Sequence, residues 1–284
     1  MTKRTVILAV AATLAALAAG GAVVAAVVVY GGIYNIAATS QHLQPVYSLL
    51  ELTMRQSVRL RARDIAEPPL ADERMALRGA GCFRDKCVQC HGGPGVAQAD
   101  IGQGMQPLPG PLVDAPRHWR ARELYWVTRH GIKMSGMPAW QHRLSERELW
   151  DVVAFLQHLP ALNAAQYADW MARAPAAPAC GSERLQDAAL QAADAGRGRR
   201  ALAQYACSAC HTIPGVTGSD PLVGPPLGGL ASRTLLAGTL ANTQGNLVLW
   251  LRETHKVKPG TAMPQLDVAP QDAHDIAAYL MTLR

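Results

Sequence analysis

One short pattern, present twice, limits what this chain can become. Cys87-Val88-Gln89-Cys90-His91 and Cys207-Ser208-Ala209-Cys210-His211 both read C-x-x-C-H. Zinc ribbons also use C-x-x-C, but their two pairs stand about 15–20 residues apart, whereas Cys87 and Cys207 are 120 apart. A thioredoxin-like dithiol needs a βαβ setting, and no alternating strand pattern surrounds either copy. A structural disulfide gives no reason for a His directly after each motif. The reading that remains is covalent attachment of c-type heme. Two thioether bonds fix the porphyrin edge, and the next residue, His91 or His211, lies under the iron and ligates it. Aromatic residues are scarce, at 5% with only two Phe, which suits a core filled in part by a flat apolar macrocycle.

The iron needs a second axial donor, and a Met there raises the potential and suits electron transfer. Met137-Pro138 follows His91 by 46 residues, and Met263-Pro264 follows His211 by 52. Proline fixes φ and has no N–H, so it stiffens a loop that must aim a sulfur. Elsewhere a Met is usually core filler, which is the reading for Met54, Met75, Met171 and Met281. Met134 is the nearest competitor in the first half. Rival histidines are His118, His130, His142 and His158, then His255 and His274; most of them read as ordinary surface or helix histidines. The candidate cofactor-binding set is Cys87, Cys90, His91 and Met137, then Cys207, Cys210, His211 and Met263. His91, Met137, His211 and Met263 are the candidate metal ligands. No catalytic residue is assigned.

From Val6 to Tyr30 no residue is charged. A membrane-crossing helix needs about 20 apolar residues, and the core of a cleaved signal peptide only about 7–15. The length favours a retained anchor, although Ala16-Leu17-Ala18 offers a small-residue cleavage site. Lys3 and Arg4 precede the apolar run and keep the short tail cytoplasmic, so everything after about residue 34 lies outside. The net charge is +6, and residues 1–60 hold +3 of it. No Lys/Arg run neutralises phosphates, so a nucleic-acid partner is not expected. Residues 41–63 read as a tether, with Val46, Leu49, Leu50 and Thr53 on one helical face and Arg55, Arg59, Arg61 and Arg63 following. It is either an amphipathic helix on the membrane surface or a linker helix packed on the first domain.

Each half repeats one order of parts: a helix running into C-x-x-C-H, a Gly/Pro-rich loop, a middle helix, Met-Pro and a closing helix. Ser145-Glu146-Arg147-Glu148 is a capping box, followed by Leu149, Val152, Val153 and Leu156 at helical spacing and by Pro160 as a stop. In the second half Pro270 and Asp272 mark a helix start, and Ile276, Tyr279, Leu280 and Leu283 form the buried stripe. The middle helices centre on Leu124, Trp126 and Val127, and on Leu247, Trp250 and Leu251. A backbone carbonyl in Gly224-Pro225-Pro226-Leu227 is placed to accept the second N–H of His211 and fix its ring. The matching stretch of the first half, 107–112, does not single out a residue.

Both halves resemble class I cytochrome c domains. The second resembles the cytochrome c domain fused to subunit II of some bacterial heme-copper oxidases. The resemblance rests on Gly198-Arg199-Arg200, on Tyr205 to Gly215 around the heme motif, and on Lys258-Pro259-Gly260-Thr261-Ala262-Met263-Pro264. The first resembles anchored cytochromes through Gly31 to Thr39, Cys90-His91-Gly92-Gly93-Pro94-Gly95, and Gly131 to Trp140. The family packs a Gly and an aromatic residue of the pre-heme helix against the closing helix. Gly79 and Phe83 fit, and Gly198 fits, but Leu202 stands where the second ring belongs, which leaves Tyr205 to replace it. The expected architecture is all-α: a transmembrane helix and two tandem class I cytochrome c domains. The expected parts are 1–34 cytoplasmic tip and anchor, 35–71 tether, 72–160 first domain, 161–196 Ala/Pro-rich linker and 197–284 second domain.

The resemblance implies two covalently bound hemes c and a bacterial single-pass protein of the cytoplasmic membrane with its heme domains in the periplasm. It implies single-electron transfer to or within a respiratory complex, a heme-copper oxidase first of all, with other redox proteins as further partners and the lipid bilayer holding the N-terminal helix. The chain is then an electron carrier and not an enzyme by itself. The alternatives are the cytochrome subunit of a periplasmic dehydrogenase and a di-heme peroxidase, whose chemistry needs an openable iron site and acid–base groups. Nothing resembles the output domain of a sensor. Cys82 and Cys180 remain. In an oxidising compartment they are either a disulfide pinning the linker to the first domain or two free thiols.

Overall fold

The protein is described by a computed structural model covering residues 2–181, 189–218, 221 and 223–284. Part of the expected linker, 182–188, lies outside the described residues. Helix α1, Lys3–Tyr30, has a mean hydropathy of 2.3 in its most apolar stretch and buries nothing against the rest of the chain. At 1.5 Å per residue it is about 42 Å long, more than the roughly 30 Å of a bilayer's hydrocarbon core. The chain therefore has one N-terminal helix long and apolar enough to cross a membrane.

Helix α2, Gln44–Ala62, starts with a proline in its first turn and buries only Val58 and Ala62. These pack its C-terminal half on the first domain, against the helix Ala121–His130. The linker-helix alternative therefore holds for this half, while Leu49, Leu50 and Leu52 nearer the anchor stay exposed.

The first domain is built on α3, Glu73–Lys86, crossing α5, Glu146–His158, with α4, Ala121–His130, alongside. Asp72 caps α3 by accepting the Arg74 N–H at 2.9 Å. The Ser145 hydroxyl accepts the Glu148 N–H at 3.2 Å, and the Glu148 carboxylate accepts the Ser145 N–H at 2.7 Å. Phe83 and Phe155 are fully buried with ring centres 5.2 Å apart, and burying each ring contributes on the order of 2–3 kcal/mol.

The stretch expected to be linker is partly structured. Asn163 and Gln166 form a capping box, and helix α6, Ala164–Arg173, follows. Tyr167 and Trp170, three apart on one face, close over the first core, with Trp170 5.7 Å from Phe155. An aromatic pair at helical spacing thus makes a packed helix of part of the expected Ala/Pro-rich linker.

The second domain repeats the frame with α7, Ala195–Gln204, crossing α9, Pro270–Leu280, and α8, Gln244–Arg252, beside them. Leu202, Leu247, Ile276 and Leu280 fill its core. Leu283 lies beyond the end of α9 and is only partly buried. Strand among the described residues is confined to a small antiparallel hairpin, Leu235–Leu236 with Leu240–Ala241. The domains touch where the Arg143 guanidinium lies 4.5 Å from the Tyr205 ring centre and donates to the Gln204 carbonyl at 3.3 Å.

Candidate cofactor sites

In each domain the helix before the motif delivers two thiols and an imidazole on one tight turn. Cys87 ends α3, and the single turn Val88–His91 follows directly. Cys207 to Ala209 form a similar short turn after α7. The His91 and His211 N–H groups donate back to the carbonyls of Cys87 and Cys207, both at 2.9 Å, so the imidazole sits at a fixed offset from the first thiol.

Each imidazole is then oriented by a carbonyl. Nδ1 of His211 lies 2.8 Å from the Pro225 oxygen, and Nδ1 of His91 lies 2.7 Å from the Gly110 oxygen. A carbonyl can only accept, so Nδ1 carries the proton in both rings and Nε2 is the nitrogen available to a metal. Gly224 lets its loop lie flat on the ring: a Cβ there would sit 2.5 Å from Cε1 of His211. Burial pushes the His91 imidazole below its ordinary range, partly opposed by its bond to Gly110. A neutral ring is the state that ligates.

The methionine loops are held in one way in both copies. The Met137 N–H donates to the Ser135 hydroxyl at 3.2 Å, and the Met263 N–H to the Thr261 hydroxyl at 3.3 Å. The Met137 oxygen accepts the Ile132 N–H at 3.1 Å, and the Met263 oxygen lies 3.1 Å from Nε2 of His255. These supports escaped the sequence reading, although a hydroxyl residue two positions before each Met was the signal. Met134 takes a left-handed backbone, φ 60°, and is 93% exposed, whereas Met137 is half-buried. Met105, unassigned in the sequence, lies beside Gly136; a Cβ built there would be 2.5 Å from its sulfur.

In the second domain the structure brings Cys207, Cys210, His211 and Met263 around one cavity of about 710 Å3. Its walls are mainly aliphatic, with Leu202, Leu230, Leu236 and Leu251 among them. That volume falls in the usual range for cofactor sites, about 300–1,000 Å3. Two thiols at one edge, a nitrogen donor and a thioether donor lining an apolar space fit a heme c. In the first domain Cys87, Cys90 and His91 share one turn, and Met137 stands on its own braced loop. Burial pushes the Cys87 thiol up to about 12, helped by Cys180 and Cys90, and pushes Cys207 up to about 11. Among the described residues no group of three or more His, Cys, Asp or Glu is placed to hold a metal ion.

The rival histidines have other surroundings. His158 packs 5.2 Å from Trp170, His130 packs 4.9 Å from Trp126, and His142 lies at the domain junction, 3.8 Å from Asp272. In place of the missing second-domain ring, Leu202 is buried and Tyr205 closes the core, its hydroxyl donating to Asp272 at 2.8 Å.

Comparison with known proteins agrees with this geometry. Residues 74–156 match the family model for cytochrome c oxidase, cbb3-type, subunit III, and residues 195–284 match that for cytochrome c. A stretch of 91 residues is 33% identical to cytochrome c oxidase subunit 2 of Alkalihalophilus pseudofirmus. That match covers 32% of this chain and 26% of the relative. The chain carries one apolar N-terminal helix and two cytochrome c domains in a mostly helical fold.

Proposed function

We propose that this chain is a membrane-anchored di-heme cytochrome that relays single electrons on the periplasmic side, to or within a heme-copper oxidase complex. The observation that carries it is the aliphatic cavity of the second domain, with Cys207, Cys210 and His211 lining it together with Met263. A heme c bound at each site supplies an iron that gains and loses one electron. The chain's own residues do the rest. His91 and His211 present Nε2 while Nδ1 is tied to a carbonyl. Met137 and Met263 offer sulfur from loops braced at their own N–H groups. Nitrogen and sulfur donors on segments held by hydrogen bonds would leave little to rearrange between redox states.

Helix α1 keeps the domains near a membrane partner and replaces diffusion with a high local concentration. The oxidase as partner is supported by the two oxidase-related matches. The test is purification in mild detergent from a host that attaches heme to C-x-x-C-H. The relay predicts two hemes per chain, an oxidase that co-purifies, and a reduced protein that does not take up carbon monoxide. Co-purification with a dehydrogenase would move the chain to that complex instead. Ready carbon monoxide binding at one heme would favour the peroxidase.

A further inference from the structure

Three thiols meet in the first domain. Cys82, Cys87 and Cys180 are 1%, 8% and 5% exposed and belong to one buried cluster. Cys87 belongs to the heme motif. Cys82 sits one turn earlier on α3, and Cys180 arrives from the segment beyond α6.

That segment is fastened on both sides of Cys180. The Ala179 N–H donates to the Asp85 carboxylate at 2.6 Å, and the Gly181 N–H donates to Glu148 at 2.8 Å. Arg84 donates to the Pro175 carbonyl at 2.8 Å. A Cβ built on Gly81 would lie 2.6 Å from the Ala179 Cβ and 3.3 Å from Pro175, so positions 81 and 179 touch and 82 and 180 are neighbours. The neighbouring Cys180 thiol, then burial, pushes the Cys82 thiol above its ordinary range. Cys87 is buried in the same cluster.

We propose that Cys82 and Cys180 form a disulfide that fastens the 175–181 segment to α3 and withdraws Cys180 from Cys87, so that Cys87 stays free for its thioether bond. The inference rests on the reading that the domains lie in an oxidising compartment. Both thiols lose hydrogen and one Sγ–Sγ bond forms. The two electrons and two protons reduce the disulfide of an exported thiol oxidoreductase to a dithiol. Without Cys82, the thiol left in the same buried cluster as Cys180 is that of Cys87. A Cys87–Cys180 bond would leave the heme motif one thiol short.

The test uses the full-length holoprotein, alkylated without reductant and digested with trypsin. Cleavage after Arg78 and Arg84 isolates Cys82 in 79–84, cleavage after Lys86 separates Cys87, and Cys180 lies in 174–184. The expected result is 79–84 joined to 174–184 in a species that reduction splits. Two alkylated thiols, or Cys180 joined to Cys87, would overturn the bond. The guarding role is read from heme per chain. Cys82→Ser is expected to lose heme at the first motif only, and Cys82→Ser with Cys180→Ser to regain it. If the single variant loads both hemes as the parent does, or the double variant loads no better than the single, the guarding role is wrong. Heme on the peptide holding Cys87 is scored separately. A heme-loaded protein with free Cys82 and Cys180 defeats the disulfide and leaves the relay standing, whereas a parent chain without heme defeats the relay.

Discussion

Gly198 lies against Asp275 so closely that a Cβ built on it would stand 1.9 Å from the Asp275 carbonyl oxygen. Gly79 meets the Asp151 carbonyl the same way, at 1.8 Å. The obstacle in both cases is backbone, so a methyl group cannot be absorbed by a side-chain rotation. Gly198→Ala is therefore expected to destabilise the second domain by about 3 kcal/mol and to leave the first near its parental stability. Denaturant unfolding followed at the two hemes separately checks this. An unchanged midpoint would mean the helices do not cross this tightly.

The same crossings carry a repeated ion pair. Arg78 forks onto Asp151 at 2.8 and 2.7 Å, and Arg197 forks onto Asp275 at 2.7 and 2.9 Å. The Asp275 side chain is 1% exposed and also accepts the Asp194 N–H at 2.7 Å. Asp275→Ala removes the acceptor for both and leaves the guanidinium beside an apolar gap. Because Arg197 is well exposed, the cost falls at the low end for a broken buried pair, about 3 kcal/mol. A double-mutant cycle with Arg197→Met measures the coupling. A value indistinguishable from zero would reduce the pair to packing.

Tyr205 gives the second domain an alkaline limit. Burial first, and then the Asp272 carboxylate, push its hydroxyl from the ordinary 10.0 up to about 12. The native state thus keeps a proton that the unfolded chain releases above its own lower pKa. That contribution is complete below pH 10, shrinks as pH rises and is gone above about pH 12, an overall loss on the order of 2–3 kcal/mol. Tyr205→Phe lowers stability near neutrality, because the bonds to Asp272 and the Ala269 N–H are lost, but it flattens the slope between pH 10 and 12. Urea unfolding of parent and variant across that interval decides the point; parallel slopes would assign the alkaline loss to another group.

The legible parts of this molecule were those that local chemistry imposes. The C-x-x-C-H turns, the Ser145 capping box and the buried Ile276 and Leu280 of α9 follow from spacing alone, whereas Tyr279 and Leu283 are only partly buried. The carbonyl partner of His211 was expected within 224–227 and is that of Pro225. Its counterpart Gly110 was hidden because 107–112 offers several carbonyls of equal standing, and only the folded loop chooses one. Helix α6 was missed because Tyr167 and Trp170 acquire meaning only once Phe155 lies beneath them. The Arg143–Tyr205 contact is a meeting of residues far apart in sequence, which no local pattern records.

The two methionines offer the sharpest separation between scaffold and donor. Met263 lines the cavity with His211, and its N–H is bonded to Thr261 through backbone geometry that a side-chain change does not disturb. Met263→Ala should therefore keep the heme attached through Cys207 and Cys210 while opening one face of the iron, so the reduced variant binds carbon monoxide at one heme of two. Met263→His offers a nitrogen where sulfur stood. Because Met raises the potential relative to a second His, this variant should lower the midpoint potential of the second heme and leave the first unchanged. Potentiometric titration followed by absorbance resolves the two hemes. If neither variant alters the second heme's potential or its carbon monoxide binding, Met263 is not the donor, and another residue fills the axial position.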